Sequence, residues 1–201
     1  MLGVLRRSRT AAAADVLLDY YLSTQEGAYH VAQSASLAQD RDKAERALLE
    51  IAQRGGDAAP ATAVSLAKMA RKPPDLLDWL DSPVSYIRAN AALALAYLGD
   101  RSHVGRLRAM RQEAADSLER LSLASALAML TGKVAARDLH AELVRAHEVA
   151  YGTTGPLDIF RLHSFFQDAF IDGLKACNDS TTELVAAWQS ECAPLPPASA
   201  S

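Results

Sequence analysis

The chain has little cysteine and no long apolar run. Its 201 residues contain two cysteines, Cys177 and Cys192, which are too few for a disulfide framework. A single bridge between them stays open, but two thiols in a reducing, cytoplasmic compartment are the simpler interpretation. No apolar stretch approaches the roughly 20 residues that a membrane-spanning helix needs. We therefore expect neither a disulfide-stapled domain nor a membrane span.

The chain also lacks an excess of basic residues. The net charge of −3 and the pI near 5.9 argue against a general nucleic-acid binder, which usually carries a basic excess on one face. One local exception is the run RSHVGRLRAMR, residues 101–111, which holds four arginines. Such a run is usually a solvated helix face, and contact with an acidic partner or with phosphates is the alternative.

No catalytic or metal-binding pattern is present in the sequence. Both GxGxxG and GxxxxGK[ST] are absent, and no Ser/His/Asp or Cys/His arrangement is recognisable. His140 and His147 share a helix face, but seven residues rise ~10 Å, which is too far for one zinc ion with bonds near 2 Å. We therefore predict no catalytic residue, no metal site and no cofactor.

Alternating strand patterns are missing as well, so the chain is predicted to be all-α. Breakers recur from Gly55-Gly56 to Pro156, and the apolar residues between them follow intervals of three and four. The predicted helices are 10–22, 27–38, 42–53, 59–71, 75–80, 84–98, 102–112, 115–131, 134–150, 157–176 and 181–190.

The two ends are interpreted separately. The start, MLGVLRRSRTAAAA, is basic enough for a targeting segment, but Asp15 and Asp19 interrupt the apolar residues that follow, which favours a soluble first helix. The end, APLPPASAS, is rich in proline and small residues and is predicted to be a disordered tail. We expect a single domain over 1–190 and a tail over 191–201.

An alanine- and leucine-rich pattern repeats within the chain. Residues 92–98 match residues 124–130 at an interval of 32, and Arg88 recurs as Arg120 at the same interval. Residues 63–69 match 92–98 at an interval of 29. We infer three helical hairpins, which span 43–71, 75–99 and 102–132. Small residues let one hairpin stack closely on the next.

The hairpin at 75–99 resembles a HEAT repeat. The resemblance is carried by the turn Asp81-Ser82-Pro83, the pair Ile87-Arg88, the body 91–98 and the stop Gly99-Asp100. The hairpin at 102–132 keeps Arg120 but has Glu119 and Thr131-Gly132 at the other positions, and the hairpin at 43–71 has Ala59 in place of the arginine. The resemblance implies a short right-handed α-solenoid capped by 10–38 and 134–190. It also implies that Asp81 and Arg88 belong to a structural ladder between units.

A HEAT-like solenoid would offer its concave face to a partner protein. Tyr86, Asn90 and Tyr97 form one stripe of the inner helix, and Met129 is in the equivalent stripe of the next unit. Tyrosine is a good interface anchor because a large amphipathic ring orders at small entropic cost. The alternative is that both tyrosines only pack against neighbouring hairpins.

All four phenylalanines lie in the short stretch DIFRLHSFFQDAF. One interpretation is that Phe160, Phe166 and Phe170 bury a C-terminal cap helix. The other is an exposed docking patch that includes Phe160, Phe165 and Phe166, for a partner or for a second copy of the chain.

Taken together, these observations predict a noncatalytic interaction module that acts as an adaptor, chaperone or assembly factor. One alternative is an enzyme on a HEAT-like scaffold, similar to bilin lyases or to alkylpurine DNA glycosylases. Another is a specific inhibitor or immunity-type protein with one tight target. The partner's identity and the oligomeric state stay open.

Overall fold

The computed structural model of the protein describes residues 2, 5, 10–151 and 164–177. Side chains are described at all of these residues except 150, 151, 164 and 165. The regular secondary structure in this part of the chain is helical. Within these residues there are ten α-helices, two short 3₁₀ helices and no β-strand, so the prediction of an all-α chain is confirmed. None of the described helices is both long and apolar enough to cross a lipid bilayer.

The helices follow one another with short connections. In chain order they are α1 (Ala11–Thr24), α2 (Ala28–Ser34), α3 (Arg41–Arg54), α4 (Ala59–Lys68), α5 (Leu76–Leu80), α6 (Ser85–Tyr97), α7 (Val104–Glu113), α8 (Ser117–Thr131), α9 (Ala136–Tyr151) and α10 (Ser164–Ala176). The 3₁₀ helices Ala35–Leu37 and Arg101–His103 follow α2 and precede α7. The predicted helix at 181–190 and the predicted tail at 191–201 lie outside the described residues.

Local capping chemistry sets several of the helix ends. The side chains of Thr10, Asp40 and Asp116 accept hydrogen bonds from backbone N–H groups three residues later, at the starts of α1, α3 and α8. These bonds satisfy donors that a helix start leaves unpaired. Gly132 ends α8 with a φ of 62°, a left-handed conformation that glycine adopts without strain.

The helices pack in two rows. In the first row, which we call the inner row, α2 packs on α4, α4 on α6, α6 on α8 and α8 on α10. The second, outer row consists of α3, α5, α7 and α9, which pack on α4, α6, α8 and α8 respectively. This order is the one that stacked hairpins need, whereas the HEAT-like solenoid stays a prediction.

The alanines of α6 lie between two neighbouring helices of the inner row. Ala91, Ala92 and Ala94 are buried between α4 and α8, and Leu95 is fully buried beside them. A larger side chain at these alanines would force the helix axes apart, because the contact distance depends on side-chain size. The small residues therefore permit the close packing of three successive inner helices.

Polar contacts connect the hairpin 75–99 to the hairpin 102–132. Arg88 makes two parallel hydrogen bonds to the carboxylate of Glu119, from Nε to Oε1 at 2.6 Å and from Nη2 to Oε2 at 2.7 Å. Its Nη1 also donates to the carbonyl oxygen of Ser82 at 2.7 Å. Asp81 pairs with Arg106 of α7. The two residues implied to be structural therefore each bond to the following hairpin rather than to each other.

Candidate functional site

The residues predicted to bind a partner lie on one side of the inner row. We call this surface the inner face and define it by Tyr86, Asn90 and Tyr97 on α6 and Ser125 and Met129 on α8. Asn90 and Ser125 are buried, whereas the two tyrosines and Met129 are half-buried. All three half-buried side chains pack against a core that includes residues of α10. The inner face is therefore covered in this conformation.

The helix that covers the inner face is α10. The ring of Phe166 meets the ring of Tyr86 edge-on, with 6.4 Å between centroids and 74° between planes, a favourable aromatic geometry. Near the other end of α10, Asp172 contacts Tyr97. Since Tyr86 and Tyr97 lie at the start and end of α6, helices α10 and α6 run parallel.

Gly173 lets α10 approach α8 closely. A Cβ atom at this position would lie 3.1 Å from the Cα of Ser125 and 3.1 Å from a terminal carbon of Leu139. The leucine end could move aside, but the Ser125 contact is with backbone. Glycine in a helix interior is unfavourable by about 1 kcal/mol relative to alanine, so its presence here is explained by the close approach.

A group of charged and polar side chains joins α10 to α4 and α6. Lys68, at the end of α4, donates from Nζ to Oδ2 of Asp168 at 2.7 Å, and the same Nζ lies 4.9 Å from the centroid of the Tyr97 ring. The Tyr97 hydroxyl donates to Oδ2 of Asp172 at 2.9 Å. We call Lys68, Tyr97, Asp168 and Asp172 the Lys68 cluster. Hydrogen bonds to charged groups contribute about 1.5–3 kcal/mol each, so the cluster adds appreciably to apolar burial.

Tyr86 is a packing residue with a strongly suppressed acidity. Burial raises the pKa of the Tyr86 phenol well above its usual range, and the neighbouring phenol of Tyr29 raises it further, although a hydrogen bond with Asn90 opposes the shift. The Asn90 amide donates to the Tyr86 carbonyl oxygen at 2.8 Å. Tyr86 therefore stays neutral at physiological pH.

The structure corrects one residue of the predicted docking patch. Phe166 is only 2% exposed, because its ring is enclosed by the core of α6 and α8, and Phe170 is likewise buried. Both bury the C-terminal helix, as the packing interpretation expected. Phe160 and the side chain of Phe165 lie outside the described residues.

The residues that hold α10 in place were not predicted from the sequence. Lys68, Asp168, Asp172 and Gly173 were not singled out, although two signals were available. The aspartates are four residues apart and so share a helix face, and a glycine inside a helical pattern often marks a close backbone approach. Lys68 is 100 residues from Asp168, so no local pattern indicates that partner.

The described part of the chain does not bring its histidines together into a metal site. His147 is buried and His140 is half-buried on α9. Across residues 10–151 and 164–177, no group of three His, Cys, Asp or Glu side chains could hold a metal ion.

Comparison with known proteins does not assign this chain to a family. No protein-family model, curated protein or solved structure matches this chain. The resemblance to a HEAT repeat therefore stays a prediction from the residues of the hairpin at 75–99.

Proposed function

We propose that this protein is a noncatalytic protein-binding module of stacked, HEAT-like hairpins, and that its inner face binds an amphipathic helix of a partner. The observation that supports this proposal is that the inner face already holds a helix, α10. An adaptor, a chaperone or an assembly factor would use such a face in the same way, by the helix-in-groove mode.

The contacts of α10 define the chemistry of the partner helix. An aromatic side chain takes the place of Phe166 against Tyr86. Acidic residues take the places of Asp168 and Asp172, two and six positions later, and meet Lys68 and Tyr97. A glycine follows directly, at the position of Gly173, because the backbone of Ser125 leaves no room for a side chain.

The partner helix competes with α10. Because α10 belongs to the same chain, its effective concentration at the inner face is high without any new contact. A partner of equal intrinsic affinity therefore binds the wild-type chain weakly, and any change that weakens the docking of α10 increases the apparent affinity.

The test is the substitution Gly173→Ala in the full chain. The added methyl group would lie 3.1 Å from the Cα of Ser125, and overpacking of this kind costs about 1–3 kcal/mol. Because this contact is with backbone, which cannot move aside as a side chain can, we expect the cost to exceed the gain in helix propensity of about 1 kcal/mol. A fluorescent peptide with the sequence of residues 164–176 is titrated into each protein, and binding is followed by anisotropy. We expect the Gly173→Ala chain to bind the peptide more tightly than the wild type.

Gly105→Ala is the matched control. Gly105 is also helical, but a Cβ there meets nothing within 4 Å, so the substitution should stabilise the chain slightly and leave peptide binding unchanged. A peptide with Asp168→Asn and Asp172→Asn should bind at least about tenfold more weakly, since two charge-assisted bonds are lost. If both alanine variants bind the peptide equally, or if Gly173→Ala folds and binds no more than the wild type, α10 is a permanent part of the core and the proposal fails.

A further inference from the structure

A cavity of about 410 Å³ lies on the outer side of α8, between α7 and α9. Its charged lining consists of Arg108, Arg111, Arg120, Lys133, Asp138 and Glu142. These are four positive and two negative groups, which leaves a formal surplus of two positive charges in a chain whose net charge is −3. The surplus is therefore a local feature and not a consequence of composition.

Glu142 cannot neutralise the arginines around it. This buried carboxylate, 5% exposed, accepts hydrogen bonds from Arg111 at 3.1 Å, from Arg120 at 3.2 Å and from Arg145 at 3.0 Å. Burial raises the pKa of Glu142, but the bonds from Arg120 and Arg111 outweigh that effect and the net pKa is lowered. The group stays ionised at neutral pH, and one negative charge is shared by three guanidinium groups.

Two further cations on the cavity have no ion pair in the described part of the chain. Arg108 and Lys133 are both exposed, and neither side chain makes a salt bridge with another described residue. Asp138, the other acid of the lining, faces Arg137 of its own helix at 3.8 Å. Among the described residues, the positive charge at the opening of the cavity is therefore not compensated.

A second cavity one hairpin earlier shows that this surplus is not a general result of hairpin packing. It measures about 450 Å³, and its charged lining is Asp81, Arg88, Arg106, Glu113 and Glu119. There each arginine has a carboxylate partner, Arg88 with Glu119 and Arg106 with Asp81. The same position in the fold is thus electrostatically compensated in one unit and cationic in the next.

We propose that the 410 Å³ cavity binds a small molecule that carries at least two negative charges, in phosphate or carboxylate groups. Guanidinium groups donate paired hydrogen bonds that match both groups, and Lys133 adds a mobile point charge. The volume lies in the range of about 300–1,000 Å³ that small-molecule sites occupy. Leu127 and Val134 line the same cavity and provide an apolar contact for the rest of the ligand. This inference does not depend on the helix-binding proposal.

The experiment is isothermal titration of the full chain with inorganic pyrophosphate and, separately, with citrate. We expect saturable binding of one anion per chain with a Kd of about 1 mM or tighter for at least one of the two, and the tighter one identifies the preferred group. Acetate, with a single charge, should not saturate the site. Higher salt should weaken the binding, because the opening is exposed to solvent.

The variants Arg108→Gln and Lys133→Gln locate the site. Neither side chain makes an ion pair with the described residues, so both variants should keep the wild-type melting temperature, and each should weaken anion binding by about tenfold. Arg106→Gln, in the other cavity, is the control and should leave binding unchanged. The proposal is overturned if neither polyanion binds, if acetate binds as tightly, or if Arg106→Gln weakens binding as much as the other two variants.

Discussion

The ion pair between Arg88 and Glu119 gives the sharpest test of how the hairpins stack. Glu119 is 2% exposed and Arg88 is 25% exposed, and their two parallel bonds join α6 to α8. The substitution Arg88→Met keeps the apolar stem but leaves the buried carboxylate without its partner. Breaking a buried pair in this way costs about 3–5 kcal/mol. Since Arg88 is a quarter exposed, we expect a loss of about 3 kcal/mol.

A double variant distinguishes the energy of the ion pair from the other contacts that each of the two residues makes. Glu119→Leu alone leaves the Arg88 guanidinium without its carboxylate partner. Arg88→Met combined with Glu119→Leu replaces the ion pair by apolar side chains, a change that often leaves the free energy of unfolding nearly unchanged. We expect the double variant to lie within about 1 kcal/mol of the wild type. The coupling energy is the sum of the two single losses minus the loss in the double variant, so it should be at least about 2 kcal/mol.

The assay is urea unfolding of the four proteins, followed by far-UV circular dichroism. The exposed pair of Arg54 and Glu50 on α3 is the control, with an expected coupling of about 0.3–0.5 kcal/mol that high salt removes. The coupling of Arg88 to Glu119 should persist in high salt. A value below about 0.5 kcal/mol would show that the pair is solvated, and the packing of α6 on α8 would then be wrong at this point.

Two further predictions concern the core and the response to acid. Leu95→Ala should lower the free energy of unfolding by about 2–5 kcal/mol, because Leu95 is fully buried; a loss below about 0.5 kcal/mol in urea unfolding would place the side chain at the surface. The lowered pKa of Glu142 contributes stability that is present above its ordinary pKa and is lost as the pH falls through the folded value. Glu142→Gln should therefore be less stable than the wild type at neutral pH and lose less stability on acidification; parallel pH profiles for the two proteins would contradict this assignment.

Helix positions were predictable because their causes are local. The starts of α1, α3 and α8 depend on side chains that cap donors three residues away, and Gly132 ends α8 through its own backbone conformation. The alternation of helix-breaking residues with apolar residues at intervals of three and four therefore indicates where each helix begins and ends. The predicted helices between residues 10 and 150 accordingly agree with the observed ones to within a few residues.

The candidate site was predictable only in part. Periodicity placed Tyr86, Asn90 and Tyr97 on one stripe, and the structure keeps them together on the inner face. The same reasoning gave no sign that α10 covers this stripe, because a helix has the same sequence pattern whether its apolar face meets its own chain or a partner. For Phe166, the sequence left both burial in the core and exposure in a docking patch open, because its neighbours in the fold were not known.

The sequence by itself determined an all-helical fold over the described residues, the positions of its helices and the small side chains that let them pack closely, since each of these depends on residues within about one helical turn. Only the tertiary structure decided which distant groups meet. Lys68 pairs with Asp168, and both Arg111 and Arg120 pair with Glu142, because stacked helices bring together residues far apart in the chain. The physical reason is that capping and propensity act along the chain, whereas charge pairing and the covering of the inner face depend on how the rows pack.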